Sequence, residues 1–222
     1  RVERQIERCF GRRDAVPLER GEGSPVRAIV DAAAADDADL ILTGLRVHSL
    51  MDRLVGDETA LRVTRATDRP VFAVAPVLTQ QPRHGVVGID FSKASMRAAA
   101  ATAGVLADGG TLTLLHARPR LDTASSDDGI ELPYARGVTA ALEGLRGSVA
   151  SSHPTLTVNV ERREGEAAEA IMNFAVGAQA DFVAVGRHRR SAIAHAVLGS
   201  VATSLLRKAK LSVLVLPPAE AD

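Results

Sequence analysis

Cysteine is nearly absent. Cys9 is the only one, which excludes an internal disulfide framework and a cysteine-based zinc cluster, and fits a reducing cytoplasm. An excess of either charge is missing too: 27 Lys and Arg balance 27 Asp and Glu. No global field therefore recruits nucleic acid or an anionic membrane surface, and any anion site must be local. No apolar run approaches the roughly 20 residues needed to span a bilayer. The opening "RVERQIERCF" is a charged, helix-like segment rather than a secretory signal. These absences predict a cytoplasmic protein, neither exported nor inserted. Arg1 is not an initiator methionine, so an earlier segment is expected upstream. Catalytic signatures are lacking as well. The six histidines, at 48, 84, 116, 153, 188 and 195, fall in no metal-ligand spacing, and no Walker A sequence, nucleophile elbow or HExxH is present. His116, in an otherwise apolar strand, reads as a core or sheet-end histidine rather than a base.

What remains is an ordinary globular composition, 46 % hydrophobic and 24 % charged, with an internal repeat. "ERGEGSPVRAIVDAAAADDADLILTG" (Glu19 to Gly44) aligns with "ERREGEAAEAIMNFAVGAQADFVAVG" (Glu161 to Gly186) at a constant offset of 142, with 10 of 26 positions identical. The match continues loosely through "RLVGDETALRVTRATDRPVFAVAP" and "AVLGSVATSLLRKAKLSVLVLP". The expected units are residues 1–80, the later part of a first copy, and 83–222, a complete second copy. At this offset position 1 matches Glu143, so the counterpart of residues 83–142 is not in the first copy.

The second copy alternates strand and helix. "HGVVGID" is an apolar run ending at Asp90, followed by a helix beginning near Ser92, with Asp90 a candidate cap, and running through Met96 to Ala107. "GGTLTLLHA" is a second strand, "SSDDGIELPY" a loop broken by glycine and proline, and 135–150 a helix. "LTVNVERREG" has the alternation of a strand with one wet face or an edge. A helix over Glu166 to Ala178 follows, with Ala167, Ala170, Ile171 and Phe174 on one side, then the strand "DFVAVG", a helix from Ser200 to Lys208 and the strand "LSVLVLP". This alternation predicts a Rossmann-like, doubly wound parallel sheet with ligands beyond the carboxyl ends of its strands.

"VVGIDFSKAS", "LLHA", "EGEAAEAI", "ADFVAVG" and "LGSVATSLL", in that order, resemble the universal stress protein family. The resemblance covers residues 83–217 and, in its later half, 15–77. It implies an α/β fold whose five-stranded sheet has the order 3-2-1-4-5, here in two tandem copies, the first lacking its first strand-helix-strand. Strand 1 is central in that order, so the first copy's strand 3 is left without a partner. The full gene product is expected to carry the missing segment.

Many members of the family bind ATP through glycine, two residues, glycine, nine residues, glycine and serine or threonine after the fourth strand. Gly186, Arg189, Gly199 and Ser200 reproduce that spacing with the second glycine replaced by arginine. Gly186 lets the chain turn off the strand, and Gly199 and Ser200 open a helix whose N–H groups and dipole favour an anion, with Ser200 able to cap it. Arg189 either swings aside or occupies the phosphate space, and a guanidinium also suits phosphate geometry. Two readings of Arg187, His188, Arg189 and Arg190 stay open: a cationic rim for nucleotide phosphates, or a solvated loop. The resemblance also implies that Asp90 lies near adenine, that the main chain of Ala117 contacts it, and that Val201 follows Ser200 in the helix's first turn. ATP is the implied ligand, with Mg possible beside it, and activity is limited to slow hydrolysis or autophosphorylation.

The first copy reads as a degenerate half. Val47 replaces the motif's second glycine, the spacing to Gly56 is one residue short, and Asp57 and Glu58 stand where a phosphate would be repelled. Family members commonly dimerise through their fifth strands, which implies that "PVFAVAP" and "SVLVLP" pair within this chain, hiding an apolar edge, and that the chain dimerises again. The leading function is a stress-response module with a regulatory adenine nucleotide in the second copy. The rival is a nucleotide-free, dimerising scaffold of the same fold.

Overall fold

The computed structural model describes residues 7–8, 11–12, 16–45, 59–119, 128–187 and 198–218. The strands are β1 (Ile41–Gly44), β2 (Val71–Val74), β3 (His84–Gly88), β4 (Thr111–Arg118), β5 (Thr157–Glu164), β6 (Phe182–Gly186) and β7 (Ser212–Leu216). The helices are α1 (Pro25–Ala35), α2 (Thr59–Ala66), α3 (Lys93–Val105), α4 (Asp128–Ser152), α5 (Ala167–Gly177) and α6 (Ser200–Lys208). All seven strands join one sheet in the order β1-β2-β7-β6-β3-β4-β5. Within the second copy this is the expected 3-2-1-4-5, and every pairing there is parallel. The central strands β6 and β7 are uninterrupted apolar runs because both their faces are covered. One face carries α2, α5 and α6 over Ile171, Ala202 and Leu205; the other carries α3 and α4 over Ala98, Leu142 and Leu145.

The repeat is a structural repeat. α1 and α5 begin and end 142 residues apart, and both close with the same left-handed cap. Asp37 (φ 48°) and Gln179 (φ 53°) turn the chain, while Ala38 and Ala180 donate back to the carbonyls of Ala33 and Ala175. Gly23 and Gly165, also equivalent, both have positive φ.

The two copies meet where two edge strands of the same repeat position pair. β2 runs antiparallel to β7, with Val71 opposite Val215, Phe72 opposite Leu214 and Ala73 opposite Val213. Beyond the ladder the Ser212 hydroxyl accepts from the Ala75 N–H at 3.0 Å, and the Phe72 and Phe182 rings lie 5.2 Å apart. This closes an apolar edge that would otherwise template aggregation.

Two local expectations are revised. Residues 17–22, the counterparts of β5, form no strand and are exposed, because no neighbour is present to pair with them. The first copy contributes β1, β2, α1 and α2 to the fold. In the second copy α4 begins at Asp128, so Gly129 and Pro133 lie inside a helix rather than a loop; their propensity costs bias the backbone but are routinely overridden in context.

Candidate functional site

The carboxyl ends of β3, β4 and β6 surround a cleft of about 710 Å³, counted with its open mouth. β3 ends at its tip in Ile89 and Asp90, β4 supplies Leu115 and Ala117, α5 supplies Ala167 and Ile171, β6 ends in Val185 and Gly186, and α6 starts at Ser200 behind Gly199. Of the eight residues expected in the site, Asp90, Ala117, Gly186, Gly199, Ser200 and Val201 line this one cleft. The other two, His188 and Arg189, lie outside the described residues, as do Arg190 and, in the first copy, Val47, Gly56, Asp57 and Glu58.

Asp90 sits in a tight turn between β3 and α3. Its Oδ1 accepts from the Ser92 N–H at 3.1 Å and from the Ser92 hydroxyl at 2.6 Å. Ser92 in turn is the N-cap of α3, accepting from the Ser95 N–H. Asp90 therefore orients the capping residue and does not itself cap. Phe91 bridges them in the left-handed region, φ 62°, an uncommon conformation for a bulky side chain. Its ring stands 5.1 Å from that of His116, whose Nδ1 donates to the Ile89 carbonyl at 2.8 Å. His116 is a sheet-end residue that braces the β3 tip.

β4 continues past the end of β3. The Leu115 carbonyl accepts from the Ile89 N–H, the last backbone bond between them. Backbone groups alternate sides along a strand, so those of Ala117 face the side on which β3 has already ended. That is a main-chain hydrogen-bonding edge at the cleft.

The two motif glycines differ in kind. At Gly186 a Cβ would lie 2.4 Å from the Ala94 carbonyl carbon, and no positive φ is involved. Close packing of β6 against the start of α3 requires this glycine, whatever binds. At Gly199 a Cβ would meet nothing within 4 Å. Gly199 is the N-cap of α6 and has no side chain to cap it; Ser200, expected as a cap, is instead the first helical residue and exposed. The first intrahelical bond runs from the Thr203 N–H to the Gly199 carbonyl. The N–H groups of Ser200, Val201 and Ala202 therefore precede the helix's own ladder, at its positive end.

The floor residues Leu115, Ile171 and Val185 were missed, as was Ser95. A signal existed: the two-residue period of β4 places Leu115 on the same face as Ala117. The buried face of α5 is Ala168, Ile171, Met172 and Ala175, one position round from the expected stripe. Arg187, one of the four residues of the expected rim, is turned away from the cleft and only 6 % exposed. Among the described residues no group of three His, Cys, Asp or Glu side chains could hold a metal ion.

The model of the universal stress protein family matches residues 2–75 and again 83–217. The chain belongs to the universal stress protein family. A universal stress protein of Mycobacterium tuberculosis, recorded in two strains, is 33 % identical over 135 residues, covering 59 % of this chain and 92 % of the relative. The crystal structure of a universal stress protein from Archaeoglobus fulgidus is similar in fold, with TM-score 0.63 at 21 % identity, covering 100 % of this chain and 77 % of that one. A universal stress protein solved in complex with cAMP is 22 % identical with TM-score 0.52, covering 63 % of this chain and 100 % of that one. No helix among the described residues is long and apolar enough to cross a membrane.

Proposed function

We propose that the second copy of this universal stress protein binds ATP or another adenine nucleotide as a regulatory ligand, in the cytoplasm. The observation that carries the reading is convergence. Six residues singled out for a nucleotide, from four separate stretches of sequence, line one cleft at the carboxyl end of a doubly wound sheet. The pieces have distinct jobs. The apolar floor and the Ala117 main chain receive the base, and Asp90 presents a carboxylate beside it. The first-turn N–H groups of α6 receive phosphate oxygens, and the bare Gly199 lets them approach. The cAMP complex of a relative supports an adenine ligand. Among the described residues Asp90 is the one carboxylate lining the cleft, so Mg would be carried chiefly by the phosphates.

The rival reading, a nucleotide-free scaffold that dimerises again, is favoured by the β2–β7 pairing and by Arg187 facing away from the cleft. Acid extraction of the purified protein followed by ATP titration calorimetry decides between them. Adenine nucleotide in the extract, or saturable ATP binding, supports the first reading. An empty extract with no heat at millimolar ATP supports the second.

A further inference from the structure

Arg187 follows Gly186 at the end of β6, where its N–H donates to the Leu216 carbonyl and extends the ladder onto β7. Its guanidinium crosses to the first copy, donating to the Thr64 carbonyl and to Asp68 Oδ1 at 3.0 Å. A buried guanidinium is costly unless its donors are satisfied. The last turn of α2 supplies a carbonyl, at the helix end where a cation is favoured. The equivalent position in the first copy is Leu45, which belongs to the apolar cluster of Leu205 and Leu206. The contact between copies is thus apolar in one direction and ionic in the other. The ionic one is adjacent to the better-kept cleft.

We propose that Arg187 is a positioning residue through which the first copy sets nucleotide affinity in the second. Held by the end of α2 and by Asp68, it fixes Gly186, one wall of the cleft, against the start of α3. The first copy is then a working part of the second copy's site rather than a remnant. This rests on the nucleotide reading above.

The test is ATP titration of the whole chain as wild type, Arg187→Ala, Arg187→Lys, Asp68→Asn and the double variant Arg187→Ala with Asp68→Asn. Ile29→Ala, in the separate apolar cluster of the first copy, is the control for lost stability alone. Arg187→Ala is expected to weaken ATP about tenfold, within the range of couplings carried by residues that touch neither ligand. Asp68→Asn weakens it a few-fold, and the double variant falls short of the product of the two. Arg187→Lys, keeping the charge without the fork, recovers part of the loss, and Ile29→Ala leaves affinity unchanged. Wild-type affinity in Arg187→Ala, or a loss no larger than in Ile29→Ala, overturns the proposal. Should Arg187→Ala not fold, Asp68→Asn alone decides, since Asp68 is 72 % exposed and outside the cleft. If the wild type takes up no ATP, the nucleotide reading falls, and the anchoring is read by hydrogen exchange in the ligand-free chain. The Arg187 amide then exchanges several-fold faster in Asp68→Asn than in Ile29→Ala; equal rates overturn the anchoring on their own.

Discussion

Gly44 and Gly186 occupy the same repeat position, so substituting alanine at each separates packing from motif. At Gly186 the new Cβ would lie 2.4 Å from the Ala94 carbonyl carbon, 2.7 Å from its Cβ and 2.7 Å from its carbonyl oxygen. Ordinary contacts begin near 3.4 Å, and the obstacle is backbone, so α3 must move by about 1 Å or β6 must bend. Overpacking of this kind costs about 3 kcal/mol, which lowers Tm by roughly 6–12 °C in a chain of this size. At Gly44 the same Cβ meets nothing within 4 Å, so Gly44→Ala changes stability by less than about 0.5 kcal/mol. Scanning calorimetry on the two variants, beside wild type, reads the difference directly. Equal shifts in Tm would refute the argument that Gly186 is held by the start of α3, and would return it to the role of a loop-turning glycine.

Other expectations concern the same elements. Gly199→Leu should lower Tm by no more than about 4 °C, the cost of a poorer N-cap, yet lower ATP affinity more than tenfold by calorimetry; unchanged affinity would show that phosphate does not approach there. Ser92→Ala should cost about 1 kcal/mol in urea unfolding through loss of the α3 cap, and a neutral result would remove Ser92 and Asp90 from that role. Gln179→Gly should stabilise by roughly 0.5–1 kcal/mol, because glycine adopts the left-handed cap without steric cost; destabilisation would mean that the glutamine side chain contributes more than its strain. Burial lowers the pKa of His84 from its usual value, with the Ala178 carbonyl and Asp181 opposing the shift. Its stabilising effect is therefore complete above the unfolded value near 6.5 and is lost as pH falls through that value toward the lower folded one. Tm should fall between pH 7 and 5.5 less steeply in His84→Gln than in wild type, and parallel curves would contradict this.

Much of the architecture was legible because two periodicities and a repeat agreed. The 142-residue offset marked equivalent helices before their shared caps were seen, and the apolar runs of β6 and β7 announced strands covered on both faces. The β2–β7 pairing followed from the resemblance to a family whose members commonly pair through their fifth strands. Residues 17–22, the first copy's strand 3, were expected to lack a partner, and without one they form no strand, because a strand is a property of its neighbours as much as of its own residues. Gly129 and Pro133 misled because propensity is local. At the site, spacing located Gly186 but not the reason for it, since the approach of Ala94 comes from a helix 92 residues earlier in the chain. Arg187 was read with its basic neighbours as one charge run. Arg187 is buried, and its partners, Thr64 and Asp68, are more than 100 positions away. No pattern in "GRHRR" distinguishes it.

The central claim is that the second copy's cleft takes an adenine nucleotide, and titrating ATP into the purified, nucleotide-stripped chain by calorimetry tests it most directly. Saturable binding at one site per chain, lost in Gly199→Leu without loss of fold, is the predicted result. No heat at millimolar ATP from a folded protein, together with no nucleotide in its acid extract, would contradict it.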